Sequence, residues 1–273
     1  MLGGVVSVQV GAALATTLFD ELGPSGTVLL RVAFAAIVLS AIWRPSIRGV
    51  ERDNLWLVAG FGLALAGMNL SFYAALDRIP LGVAVTLEFV GPLGVAILAS
   101  RRRLDLAWAA VAAAGIVLLS PAPGGSLDAL GLGLALLAGC FWGAYILLSA
   151  RIGRAFRGGD GLALAMVVAA VVLLPVGIPV GGSELVEPGL LAVGFAVALL
   201  SSAIPYSLEL EALRRLAAGT FGVLMSLEPA VAALAGLIIL GQELSATEWL
   251  AIALVVVASA GALGTSRAQA PEA

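Results

Sequence analysis

Apolar residues run along this chain in ten long blocks, near 2–19, 26–43, 55–76, 81–100, 106–120, 129–149, 161–180, 189–210, 219–240 and 246–264, separated by short polar stretches. A helix needs about 20 such residues to cross the roughly 30 Å hydrocarbon core of a bilayer. The pattern therefore predicts an all-α integral membrane protein of ten transmembrane helices. The fifth block is short, bounded by Asp105 and by Pro121-Ala-Pro-Gly-Gly. The first begins at Met1 with no basic lead-in, which argues against a signal peptide. Composition agrees: 61% of residues are hydrophobic and 11% charged, with a mean hydropathy of +1.11, where soluble domains carry about 25% charged residues. Ten spans leave no room for a soluble domain, so any chemistry belongs inside the membrane.

Charge then sets orientation. All fourteen basic residues are Arg, and cytoplasmic loops collect basic residues near membrane ends. With the N-terminus inside, twelve fall in cytoplasmic segments: Arg44, Arg48, Arg52, Arg101, Arg102, Arg103, Arg151, Arg154, Arg157, Arg214, Arg215 and Arg267. Arg78 alone lies outside, and Arg31 falls within a span. Both termini are thus expected in the cytoplasm of a multi-pass protein.

The block Leu81–Ser100 carries a carboxylate, Glu88, near its middle, and Pro92 one turn later. An acid at the bilayer centre costs roughly 2.5–3.5 kcal/mol on insertion scales, so it is expected to face protein or a lumen. Pro92 lacks an N–H and leaves the carbonyl of Glu88 without its helical partner. A shift of 137 positions lays Gly82 on Gly219 and Pro92 on Pro229, and the second copy also has a mid-span acid, Glu228. This predicts two five-helix repeats, residues 1–122 and 127–267, and an odd number of spans per repeat makes them inverted. Transporters are commonly built this way, with the binding site at the repeat interface.

Other polar groups reach membrane depth: Gln9, Arg31, Asn69, Tyr73, Tyr145, Ser201, Ser202 and Tyr206. Arg31 has two readings, snorkelling to the outer surface or turning inward to meet a carboxylate. The tyrosines suit an interface or a cavity wall. Pro205 favours the cavity for its segment, because it frees a mid-helix carbonyl. Ser201 and Ser202 read equally well as hydroxyls bonded back to their own helix. Glu209 and Glu211, beside Arg214 and Arg215, read as a solvated cytoplasmic helix end. The lone Cys140 reads as a small buried apolar residue. With no His and one Cys, no metal site is expected, and neither a phosphate loop nor a dinucleotide fingerprint implies a cofactor. Nothing points to nucleic acid; the expected partners are membrane lipid and a small-molecule substrate.

The segments GMNLSFYAAL, PLGVAVTLEFVGPL, LSSAIPYSLELEAL and TFGVLMSLEPA resemble the EamA-type drug/metabolite transporter superfamily and, within it, the subgroup of bacterial inner-membrane threonine/homoserine exporters. That subgroup reads as longer at its N-terminus, so helix 1 here is expected to be cut short. The resemblance implies ten helices around a central cavity and export of small amino acids or related metabolites. For such a substrate, Glu88 or Glu228 would meet the ammonium and Arg31 or backbone donors the carboxylate; because low dielectric favours a neutral acid, the acid is expected to alternate between a proton and the ammonium. The rivals are a multidrug exporter, for which 6% aromatic residues is a scant lining, a passive channel, and a membrane-embedded enzyme, for which paired acids or His sets are missing.

Overall fold

The computed structural model describes residues 2–46, 51–99, 103–119, 127–205 and 225–267. Each predicted block contains helix. In chain order these are α1 (Leu2–Thr16), α2 (Phe19–Trp43), α3 (Arg52–Leu76), α4 (Leu81–Glu88), α5 (Val90–Ala99), α6 (Arg103–Leu118), α7 (Ala129–Ala155), α8 (Asp160–Gly181), α9 (Pro188–Ala198), α10 (Glu228–Leu240) and α11 (Ala246–Arg267). The fourth block is two half-helices, because the chain turns at Phe89 and only then resumes as α5. Among the described residues, α2, α3, α7, and α8 with the turn after it are each long and apolar enough to cross a membrane.

Helix ends are fixed locally. Asp128 caps α7, its carboxylate accepting from Leu130 N (2.7 Å) and Gly131 N (3.2 Å). Glu187 caps α9 in the same way at Leu190 N (2.6 Å), with Pro188 at the first helical position, where its missing N–H costs nothing. Ser245 and Glu248 satisfy one another's backbone N–H at the start of α11, a reciprocal capping box. Gly241, at φ 65°, ends α10 in the left-handed conformation that glycine adopts without a Cβ penalty.

Contacts between chain turns sort the loops onto two ends of the bundle. At one end Arg78 pairs with Asp128 (3.1 Å), and Leu81 N donates to Gln242 Oε1 (3.0 Å). The Gly131 and Leu130 N–H groups and the Arg78 guanidinium together hold the Asp128 carboxyl below its usual range, the Gly131 bond counting most. At the other end Gly158 and Gly159 lie against the Trp43 indole. Every loop so placed agrees with ten alternating spans. The main packings are α3 on α7, α2 on α8, α6 on α11, α3 on α8 and α4 on α10.

Large apolar side chains also cover the outside of the bundle, with Leu98 88% and Ile238 78% exposed, the surface a helix bundle offers to lipid. Cys140 belongs to this outer face of α7 and is exposed, so its reading as a buried residue is corrected. Its neighbours Ala138 and Gly139 take the inward side instead.

Candidate functional site

The site begins with a defect in α9. Between Leu199 and Ala203 the helix widens into a π turn, and Ile204 N bonds Leu199 O, five residues back. Leu200 O is thereby left without its usual donor. One residue on, Pro205 has no N–H to offer Ser201 O. Two consecutive carbonyls are thus free inside the bundle, where an unpaired backbone group costs several kcal/mol in hydrocarbon, on the order of the transfer penalty. Side chains from two other helices take them: Ser7 Oγ of α1 donates to Leu200 O at 2.7 Å, and Arg31 Nη2 of α2 donates to Ser201 O at 3.3 Å.

Arg31 turns inward. It meets an amide where a carboxylate was one expectation, donating through Nη1 to Asn69 Oδ1 of α3 at 2.5 Å. Asn69 is itself fixed, since its Nδ2 donates to Leu65 O at 2.8 Å, which presents the amide oxygen to the guanidinium. One turn along α3, the Tyr73 ring lies under Arg31, 5.4 Å from Cζ to the ring centroid, within cation–π range. Arg31 therefore ties α2 to α3 and both to the π turn.

Glu88 is buried at the end of α4, 9% exposed, and feels the charge of Arg31 across the bundle. No ion pair joins them among the described residues, where Arg78–Asp128 is the one found. Arg31 stands seven residues after Pro24, where α2 resumes past its non-helical Gly23 (φ 64°), Asn69 seven before the end of α3 at Leu76, and Glu88 seven after the start of α4 at Leu81, in each case about 10 Å of helix rise. The freed Glu88 carbonyl serves another purpose. It lies against Gly139 of α7, where a Cβ would come within 2.7 Å of it, and the Gly139 carbonyl in turn lies against Gly91, where a Cβ would come within 1.9 Å. The break in the fourth block is thus seated backbone to backbone on α7, and only glycine fits at either point.

The chain as a whole has relatives among known proteins. The EamA-like transporter family matches residues 129–264. The chain is 42% identical over 270 residues to the threonine/homoserine exporter RhtA of Salmonella typhimurium strain SL1344, covering 98% of this chain and 91% of that protein. It is 41% identical to RhtA of Escherichia coli K12 over the same extents. The chain belongs to the EamA-like transporter family. A solved crystal structure 22% identical aligns over 98% of both chains with a TM-score of 0.65, which establishes the shared fold. The resemblance seen in the motifs thus holds over nearly the whole length, and the protein is a membrane transporter, not an enzyme.

The remaining candidates fall elsewhere in this EamA-family bundle. Glu228 is buried (5% exposed) as the first residue of α10, with Pro229 next to it. Tyr145 of α7 stacks on Phe61 of α3, centroids 5.0 Å apart, two helical turns along α3 from Asn69 and away from Arg31. Gln9 is buried on α1, and no hydrogen bond reaches its Oε1. Pro92 lies within α5 and Pro205 just after the π turn, whereas Tyr206, Glu209, Glu211, Arg214 and Arg215 lie outside the described residues. Ser201 and Ser202 are not bonded back to their helix; both hydroxyl oxygens are buried without a hydrogen bond. Reading the sequence missed Ser7 and Gly139. Ser7 was concealed by the π turn, which no local pattern announces, and Gly139 was one small residue among many.

Proposed function

We propose that this EamA-family transporter is a secondary active exporter of small zwitterionic amino acids, threonine- or homoserine-like, across the bacterial cytoplasmic membrane, coupled to protons. The observation that carries the reading is the charge arrangement. A cation, Arg31, is held inside the bundle by neutral groups, with a carboxylate, Glu88, at the same depth and not paired to it by contact. A zwitterion brings a carboxylate for the first and an ammonium for the second. A cation and an acid left apart inside the membrane are costly as structure and useful as a receptor. The names of the relatives, threonine/homoserine exporters at 41–42% identity, point to the same substrate class.

The architecture we infer is two inverted repeats, 1–122 and 127–267. The packing supports it: α2 on α8, α4 on α10 and α6 on α11 are each a pair of matching spans, and α3 on α7 is answered by α1 on α9. On the 137-residue shift the helix break at Phe89 falls on Ser226, where the ninth span also turns before α10. In this reading both termini are cytoplasmic and the Arg78–Asp128 end is external. A cysteine placed next to Arg78 should therefore be labelled by an impermeant maleimide from outside, and one at Arg157 only after the membrane is opened. The reverse pattern would overturn the orientation.

The functional test is production in a bacterium lacking its own amino-acid exporters. Tolerance to toxic threonine or homoserine should rise and intracellular accumulation fall, with resistance to lipophilic cations unchanged. Protection from cationic dyes without protection from any amino acid would favour the multidrug reading. Counterflow separates carrier from channel: substrate trapped inside proteoliposomes should accelerate labelled uptake.

A further inference from the structure

Around Arg31 there is more hydrogen-bonding capacity than the protein uses. Arg31 Nε, the Tyr73 hydroxyl and Ser201 Oγ are all buried, and none makes a hydrogen bond of good geometry, although the Tyr73 hydroxyl lies within hydrogen-bonding reach of both the Arg31 and the Ser201 side chains. Tyr73 is fully buried and Ser201 is 3% exposed. Burying a polar group unpaired costs about 1–3 kcal/mol, and such groups in a native protein call for an explanation. Packing supplies none for the two hydroxyls, since either would be better replaced by an apolar group if shape were all that mattered, and Arg31 is held by its terminal nitrogens with Nε left over.

All three can donate, and one is cationic. Three converging donors of which one is charged match an anion of two oxygens better than they match a hydroxyl or an ammonium. They also come from both halves of the chain, Arg31 and Tyr73 from the first and Ser201 from the second. Rocking the halves apart would therefore uncover them together. Gly11 of α1 completes the picture. A Cβ there would stand 2.4 Å from Ser201 Oγ and 3.0 Å from Leu200 Cβ, so the absence of a side chain at position 11 is what lets the serine hydroxyl sit where it does.

We propose that the Ser201 hydroxyl is a substrate-binding group that completes, with the Tyr73 hydroxyl and Arg31 Nε, a three-donor site for the carboxylate of the transported amino acid, and that Gly11 holds Ser201 in that place. This rests on the amino-acid reading above. The Ser201 carbonyl keeps Arg31 positioned while the hydroxyl of the same residue contacts substrate.

The test compares threonine with threonine amide, which lacks the anionic carboxylate, in proteoliposomes carrying wild type, Ser201→Ala or Tyr73→Phe. Wild type should prefer threonine. Each variant should raise the KM for threonine about tenfold to a hundredfold, the range for losing one hydrogen bond to a charged group, and leave that for the amide nearly unchanged. A thermal melt separates this from a structural role. Removing an unpaired buried hydroxyl should leave the melting temperature without substrate unchanged or higher, while the rise produced by threonine should shrink. Gly11→Ala should follow Ser201→Ala in losing preference for threonine over its amide. If threonine is carried but Ser201→Ala keeps wild-type preference, or if it lowers the melting temperature and both substrates suffer equally, the three-donor site is overturned and amino-acid export stands. If wild type carries neither threonine nor homoserine, the export reading itself fails.

Discussion

Replacing Arg31 by lysine is expected to reduce threonine counterflow about a hundredfold or more, although charge, length and apolar stem are nearly kept. The guanidinium reaches Asn69 Oδ1 with one terminal nitrogen and Ser201 O with the other, and still has Nε to give. An ammonium offers its donors from a single point and cannot span acceptors on two helices while facing a third group. Two hydrogen bonds to a charged group are each worth about 1.5–3 kcal/mol, so losing their geometry is ample for the effect. Asn69→Ala isolates one of the two: Arg31 keeps its charge and its Ser201 contact, and a smaller loss, about tenfold, is expected. Both variants should be recovered in amounts close to wild type, since the helices that frame the site pack over much larger surfaces elsewhere. Wild-type counterflow in Arg31→Lys would mean that the guanidinium is a structural tie between α2, α3 and the π turn and takes no part in binding.

How far the sequence discloses such a site depends on whether the deciding contact is local. The helical blocks were legible because hydrophobic thickness acts on every block alike. Pro205 announced a free carbonyl at Ser201, one helical turn back, and that is where Arg31 binds. The choice between snorkelling and turning inward at Arg31 was not readable, because it is decided by Asn69, 38 residues away on another helix. Pro92 likewise announced the free carbonyl of Glu88 but not its neighbour; Gly139 receives it only because α4 and α7 pack together. Cys140 faces outward for the converse reason, since one residue along a helix is a turn of about 100°, and position 139 already has the inward place. Tyr145 shows the limit for aromatic residues. A tyrosine in an apolar block carries no sign of depth or angle, and this one is occupied by Phe61.

The two intramembrane acids should not behave alike, and Glu88→Gln is expected to abolish either net transport or its dependence on pH, whereas Glu228→Gln should mainly weaken apparent affinity. Their settings differ. Glu88 closes α4, at the negative end of that half-helix, with the Arg31 charge acting on it from across the bundle. Glu228 opens α10, at the positive end of its helix, where a fixed negative charge is favoured. An acid that must alternate between a proton and a substrate ammonium has to be tolerable in both forms, and the fixed-charge setting of Glu228 suits a holding role better. Glutamine copies the protonated acid at nearly equal size, so Glu88→Gln should fold, and the seating of its backbone on Gly139 does not involve the side chain. Flux measured against pH in proteoliposomes, with yield matched first, distinguishes the outcomes. Wild-type flux with a wild-type pH profile in Glu88→Gln would make the acid structural and remove it from coupling; a flat profile with exchange intact and uphill export lost would identify it as the group that carries the proton.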